Sequence, residues 1–448
     1  MLGLILFGPL LLTTFIAKLG VPVGPREVPA SLYLMLSLMV LGLITSKLVF
    51  DIKRLAFFLG TVVILGGVQV FRGTEWSPTS FFMMVGIYAC YTMTVVDPRF
   101  DVRRAVSFFL NICTFIAICG IAQYPLQFII GPTLAFPIDF LIPKTVLVEG
   151  YMNLNVLSYG SSTYKPNGVF LLEASFFSQL LAIAVITELC SHNRPWRLGL
   201  YLVGMLLSFS GTGIVILLLT MPVIVITQRR YDLIFLGFIG IIIALLFYDQ
   251  LRIGYFLDRA TEFNNVESSF FMRFVGGFYF FEQFLWTDQM RALFGTGAGT
   301  FMSFEERANL PVHESALNKI VFEFGIIGAI VNFSFLLYCL KQSTAPFEIK
   351  WACAVMFFMA GIYTPSSHGI TLSLLLWPAA IGTPIVPQQR SESILRWLGF
   401  DLGRTKRNRV TRGGPAANGP KRAPQRRRSA KHNQQNPSSR PEPVLGPK

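Results

Sequence analysis

Charge is scarce in this chain: Asp, Glu, Lys and Arg make up 14% of its 448 residues, against about 25% in soluble globular domains. That shortage excludes a soluble fold. Cysteine is sparse too, and misplaced for a disulfide framework. All six (Cys90, Cys113, Cys119, Cys190, Cys339, Cys353) lie inside or at the ends of apolar runs, with no metal-ligand spacing among them. Met1 to Leu19 lacks a basic leading stretch, with Lys18 at its far end. It therefore reads as a first membrane span, not as a cleaved leader. Positive charge is nearly balanced over residues 1–387, because +12 of the net +14 belongs to residues 388–448. That terminus is rich in Arg, Pro, Asn and Gly without apolar periodicity. It predicts a largely disordered cytoplasmic tail touching anionic headgroups, and no nucleic-acid-binding domain.

What remains is apolar. Hydrophobic residues are 53% of the chain, in runs that read as spans at Leu2–Leu19, Ser31–Phe50, Leu55–Phe71, Thr79–Val96, Ala105–Tyr124, Val169–Cys190, Leu198–Ile226, Leu233–Tyr248, Ser315–Leu340, Trp351–Tyr363 and Ile370–Pro387. With a cytoplasmic N-terminus, the short cytoplasmic connections hold Lys47, Lys53, Arg54, Arg99, Arg103, Arg104, Arg194, Arg197, Arg229, Arg230, Lys341 and Lys350. The opposite short connections hold only Arg26 and Arg72, a strong positive-inside bias. The bias requires Leu198–Ile226 to begin and end on one side. As a single helix that run would extend about 43 Å, too far for a hydrocarbon core of about 30 Å. Ser210-Gly211-Thr212-Gly213 sits in its middle and predicts a break near Gly211–Gly213. The expectation is an all-α polytopic membrane protein of about 12 transmembrane or re-entrant helices, with both termini cytoplasmic.

Two connections on the outer side are long enough to carry function, residues 125–168 and 249–312. The first mixes Phe128, Ile129, Ile130, Phe136, Phe140, Leu141 and Ile142 with Pro132, Pro137 and Pro143, a pattern for short helices at a membrane surface. The basic residues of the second are Arg252, Arg259, Arg273, Arg291 and Arg307, with no lysine. Guanidinium forks hold phosphate or carboxylate oxygens in pairs, although eight local acids offer structural partners instead. Arg273 stands apart because Phe270, Phe271, Met272, Phe274 and Val275 surround it in sequence, where a charge needs a partner or a ligand. Only four histidines exist. His313 precedes an apolar helix at the outer boundary and is placed to receive or relay a proton; His368 is a further candidate at that boundary. Lys165-Pro166-Asn167-Gly168 supplies a cation and a turn, and Glu173 follows as either a base or a structural partner.

These motifs resemble those of the bacterial O-antigen ligase and Wzy-type polysaccharide polymerase superfamily. Lys165-Pro-Asn-Gly-Val-Phe-Leu-Leu-Glu173 is similar to its Arg-Pro-Asn-Gly-x-Phe-x-Glu-Pro element. Arg273 precedes a Gly-x-Gly, here Gly295-Thr296-Gly297-Ala298-Gly299. His313-Glu314-Ser315-Ala316-Leu317 through Glu323-Phe324-Gly325-Ile326-Ile327-Gly328 resembles its His-Asn-x-x-Leu…Glu-x-Gly-x-x-Gly element. Ser210-Gly211-Thr212-Gly213 stands where a Ser-Arg-x-Gly turn is usual. Lys165 replaces an arginine, Gly211 an arginine, Glu314 an asparagine and Ala174 a proline.

The resemblance implies a metal-independent, cofactor-free, inverting glycosyltransferase of the membrane-embedded GT-C type at the periplasmic face of the bacterial inner membrane. Its donor and acceptor would be undecaprenyl-diphosphate-linked oligosaccharides, its surroundings membrane lipids, and a chain-length regulator or export complex a further partner. His313, Arg273 and Glu173 are then the expected catalytic residues, with Lys165, Arg252, Arg259, Arg291 and His368 holding the substrate. A polymerase of exopolysaccharide or O-antigen repeat units is the preferred expectation. A ligase moving the glycan to lipid A core, or a polysaccharide or lipid transporter or flippase, are the alternatives. A transporter would show paired broken helices, of which the sequence displays one.

Overall fold

The computed structural model of the chain describes residues 2–23, 26–72, 76–95, 102–148, 154–157, 161–246, 248, 254, 271–308, 312–343, 345–361 and 363–376. Arg99, Arg252, Arg259 and the tail 388–448 lie outside the described residues, as does the side chain of Arg273. The described chain is mostly α-helical. In its first half run α1 (Leu2–Phe15), α2 (Ala30–Ile44), α3 (Ile52–Arg72), α4 (Pro78–Ala89) and α5 (Val102–Ile129). Two short helices, α6 (Pro132–Ala135) and α7 (Pro137–Leu141), precede α8 (Ala174–Ser191), α9 (Pro195–Leu207), α10 (Gly211–Gln228) and α11 (Asp232–Leu246). A π-helical turn at Phe271–Val275 leads into α12 (Gly276–Phe284), α13 (Gln289–Phe294) and α14 (Phe301–Ala308). Then follow α15 (Ala316–Gln342), α16 (Phe347–Met359) and α17 (Pro365–Thr371). Five of these, α3, α5, α8, α10 and α15, are long and apolar enough to cross a membrane.

The helix ends follow local chemistry. Ser77 caps α4 by accepting from the Ser80 N–H at 3.3 Å, with Pro78 in the first helical position. Ser315 caps α15 by accepting from the Asn318 N–H at 3.1 Å. Both satisfy a donor that the first turn leaves without a helical partner. Gly131 ends α5 at φ +83°, in the left-handed region where glycine has no Cβ to clash. Two antiparallel ribbons break the expected all-α pattern. Gly20–Val23 pairs with Arg26–Pro29, and Leu48–Phe50 with Met93–Val95. Both include stretches counted as connections or span ends, where valine-rich sequence favours extended backbone.

Helix α8 is the innermost element, buried from Ala174 through Leu189. Glycines let its neighbours close on it. A Cβ at Gly120 of α5 would lie 2.2 Å from the Phe177 ring, and one at Gly213 of α10 would lie 2.4 Å from the Ser178 carbonyl oxygen. The apolar run 198–226 is divided between α9 and α10, and it folds back on itself. Gly204 packs against Leu181 and Phe177, the break meets Ser178, and the Gln228 amide donates to Cys190 Sγ at 3.4 Å. Arg230 Nη1 donates to the Leu189 carbonyl at 3.3 Å, while Arg197 lies 3.8 Å from Glu188. Both ends of the run thus share one end of α8. The break falls at Ser208–Ser210, with Phe209 at φ +48°, slightly before the glycines expected to hold it. The glycines instead serve the first turn of α10, where Gly213 admits Ser178.

Basic connections gather at that same end. Asn111 accepts from Arg197 Nη2 at 2.7 Å, Ser107 is hydrogen-bonded to His192, and Thr227 donates to Glu348 at the start of α16. Pro-Asn-Gly, the Gly-rich loop and His313 lie at helix ends directed the opposite way.

Candidate functional site

The Pro-Asn-Gly turn is held by a buried polar cluster. Gln123 of α5 donates to Asn167 Oδ1 at 3.1 Å and accepts from the Asn167 and Val169 N–H groups at 3.1 and 3.2 Å. Asn167 Nδ2 donates in turn to Asp139 of α7 at 3.3 Å. Asp139 accepts from Lys18, beyond the end of α1, at 2.6 and 2.7 Å, and both charged side chains are almost fully buried. Burial lowers Lys18 to about 8 and raises Asp139 above the usual carboxylate range, because water no longer solvates either charge. Gly168 and Val169 both take positive φ, +69° and +70°. For a β-branched residue such as Val169 this is a costly conformation that surrounding contacts must enforce. Lys165, just before this turn, donates its N–H to the Asn155 carbonyl at 2.8 Å and is half-buried.

Glu173 stands at the N-cap of α8, and its carboxylate accepts from Ser175 Oγ at 2.9 Å. The Ser175 carbonyl accepts from Thr212 Oγ1 at 3.1 Å, and Ser178 Oγ accepts from the Gly213 N–H at 3.1 Å. Glu173 is therefore tied through one serine to the start of α10, joining the Pro-Asn-Gly…Glu and Ser-Gly-Thr-Gly motifs in one polar layer.

The third motif group meets by backbone contact. Thr296 and Gly297 donate their N–H groups to the Phe322 and Glu323 carbonyls at 2.9 and 3.0 Å. Helix α15 breaks at Gly325, φ +68°, and there the loop enters. A Cβ on Gly295 would lie 2.4 Å from the Glu323 carbonyl, and one on Gly325 would lie 2.4 Å from Leu293 backbone. The two glycine motifs thus form a single joint. The helix break frees two carbonyls, the loop supplies two donors, and only glycine fits at either contact.

His313 is half-buried at the mouth of α15. Its N–H donates to the Met272 carbonyl at 3.0 Å, next to Arg273 in the π-helical turn. Asn318 Nδ2 donates to the His313 carbonyl at 3.2 Å. The structure thus brings the His313 and Arg273 backbones together across 40 residues of sequence. Beside them is a charge cluster that lies outside the sequence motifs. Lys319 Nζ lies 3.0 Å from Glu314 and 3.1 Å from Glu323, with Lys319 and Glu323 almost fully buried. Glu323 also accepts from the Phe301 N–H at 3.4 Å, and Glu305 accepts from the Val312 N–H at 3.1 Å. Burial raises the Glu305 carboxyl against that hydrogen bond. A lysine four residues before a glutamate inside an apolar helix was the available signal.

Two further expected residues are held within the protein. Arg291 is partly exposed, 3.6 Å from Asp288 on its own turn, and sits over the Phe304 ring. His368 is fully buried on α17, hydrogen-bonded to the Tyr91 hydroxyl at 2.7 Å and edge-on to the rings of Tyr88 and Phe357. No protein-family model matches the chain, and no curated protein matches it.

Proposed function

We propose that this chain is a membrane-embedded glycosyltransferase that polymerises undecaprenyl-diphosphate-linked oligosaccharide repeat units at the periplasmic face of a bacterial inner membrane, with both termini cytoplasmic. The observation that carries the proposal is the hydrogen bond from the His313 N–H to the Met272 carbonyl. It holds the backbone of the proposed base beside that of the proposed leaving-group arginine. In the reaction, the acceptor hydroxyl attacks the anomeric carbon and its proton passes to the His313 imidazole. The anomeric carbon–oxygen bond to diphosphate breaks, and the negative charge developing on the departing phosphate is stabilised by Arg273, with Arg252 and Arg259 in support. In-line attack inverts the anomeric centre. Glu173, at the N-cap of α8, is assigned as a second proton acceptor and Lys165 and Arg291 as contributors to substrate binding, whereas His368, buried and bonded to Tyr91, is left to packing.

Paired broken helices would mark a transporter, and α15 does supply a second break. That break is filled by the chain's own loop at Gly295, so its carbonyls face peptide N–H groups instead of a passing ion. This favours the enzyme.

The test is purified protein in vesicles with lipid-linked repeat units, with and without a lipid A core acceptor. Products lengthened by whole repeats on a lipid diphosphate support the polymerase, and glycan appearing on lipid A core replaces it with the ligase. Lipid-linked units crossing the bilayer unaltered would replace both with a transporter. His313→Ala, properly inserted, should lose about 100-fold or more of the turnover.

A further inference from the structure

Lysine is absent from the 249–312 segment, yet one lysine is held just past its end, in the first turns of α15. Lys319 is 1% exposed. Its ammonium lies between the Glu314 carboxylate at 3.0 Å and the Glu323 carboxylate at 3.1 Å, with the Phe301 and Tyr363 rings at 5.7 and 5.8 Å. Each partner belongs to a different piece of the proposed site. Glu314 follows His313. Glu323 receives the Phe301 N–H and gives its backbone carbonyl to Gly297 of the glycine loop. Tyr363 donates to the Ser80 carbonyl at 2.8 Å, and the adjoining segment meets the α15 N-cap where the Ala316 N–H reaches the Ala360 carbonyl at 2.7 Å.

An amphipathic surface lysine would stretch its head to water. This one keeps its head in a dry setting, where a cation is tolerated only with well-placed anions. Two carboxylates that share one ammonium at 3.0 and 3.1 Å would repel without it. Both charges of the pair would then seek solvent, and Glu314 would draw His313 along.

We propose that Lys319 is the positioning residue of this site, the built-in cation that locks the His313–Glu314 segment to the glycine loop and so sets the imidazole against the Arg273 turn. The inference rests on the site assigned above, and it concerns placement instead of chemistry. Lys319 touches no reacting atom.

The experiment uses full-length protein with two variants. Lys319→Arg keeps the charge. Lys319→Met/Glu323→Gln removes one charge of each sign, so that folding survives while Glu314 loses its anchor. Hydrogen exchange followed by mass spectrometry reads the amides of 312–316, including the His313 N–H on Met272. Turnover of lipid-linked repeat units is measured on the same samples. The double variant is expected to exchange these amides at least about tenfold faster and to lose about 100-fold in kcat, with KM little changed. Lys319→Arg should restore most of both.

Unchanged exchange in the double variant overturns the proposal. So does fast exchange with full turnover, which would make Lys319 structural only. If the wild-type protein transfers no glycan at all, the functional reading fails, and exchange alone then decides whether Lys319 places His313.

Discussion

Removing the carboxylate of Asp139 should destabilise the protein more than any other single side-chain change near the Pro-Asn-Gly turn. Asp139→Ala leaves the Lys18 ammonium, almost fully buried, without its partner at 2.6 Å. Breaking one side of a buried pair costs about 3–5 kcal/mol. Asn167 Nδ2 also loses this hydrogen bond, adding about 1 kcal/mol. The sum is comparable with a large part of typical domain stability, about 5–15 kcal/mol. Replacing both partners, Lys18→Met/Asp139→Leu, removes the stranded charge and should fall within about 1–2 kcal/mol of wild type.

The pair also predicts a pH signature. The unfolded chain holds the Lys18 proton up to 10.5 and the folded chain only to about 8. Between these values the unfolded state binds more protons, so wild-type stability rises with pH relative to the double variant. Asp139 is raised from 3.8, so on the acid side the folded state binds more protons, and stability falls as pH rises through that window. The difference curve therefore has its minimum where both groups are charged. Unfolding in detergent micelles, followed by circular dichroism across pH 4–10.5 for wild type, Asp139→Ala and the double variant, reads all of this. Asp139→Ala within about 1 kcal/mol of wild type, or a double variant as unstable as Asp139→Ala, would refute the reasoning.

Gly325→Ala should be worse tolerated than an ordinary core overpacking, because its Cβ meets Leu293 backbone at 2.4 Å from a left-handed conformation. A loss of more than about 4 kcal/mol, or failure to accumulate in membranes, is expected. Gly213→Ala should cost about 1–3 kcal/mol by pushing α10 off Ser178, visible as a lowered Tm. Arg273→Lys should retain expression but lose most glycan transfer, since an ammonium cannot hold two phosphate oxygens in one plane. Removal of 404–448 should leave turnover of the purified protein within about twofold, because the proposed topology puts the tail across the membrane from the proposed site; a larger loss without misfolding would contradict that proposal.

Legibility from sequence tracked the distance over which each interaction acts. The α9–α10 fold-back was visible in local terms, from the length of the run, its small residues and the arginines after it. The pairing of the glycine loop with Glu323–Gly325 was visible only as two motifs in order. Why they occur together required seeing that each glycine admits the other's backbone. Lys18–Asp139 was illegible, since 121 residues separate the partners and neither stands in a motif. Lys319 is hard to read because it belongs to no motif and lies between two residues that do, His313 and Glu323. His368 illustrates the reverse. Its Ser-Ser-His-Gly setting suggests a boundary loop, but the segment forms a buried helix, with Gly369 closing on Thr13 of α1.

The glycine joint also has a bearing on how the chain is made. The donors at Thr296 and Gly297 leave the ribosome before the carbonyls of Phe322 and Glu323 that they serve. The upper part of α15 can therefore meet a strap that already waits for it, and its interrupted ladder is repaired as it arrives. An insertion between 300 and 315 would delay this meeting without changing its order, and a longer tether costs little extra to close. A circular permutant that put α15 ahead of the strap would have to carry bare carbonyls until the end of synthesis.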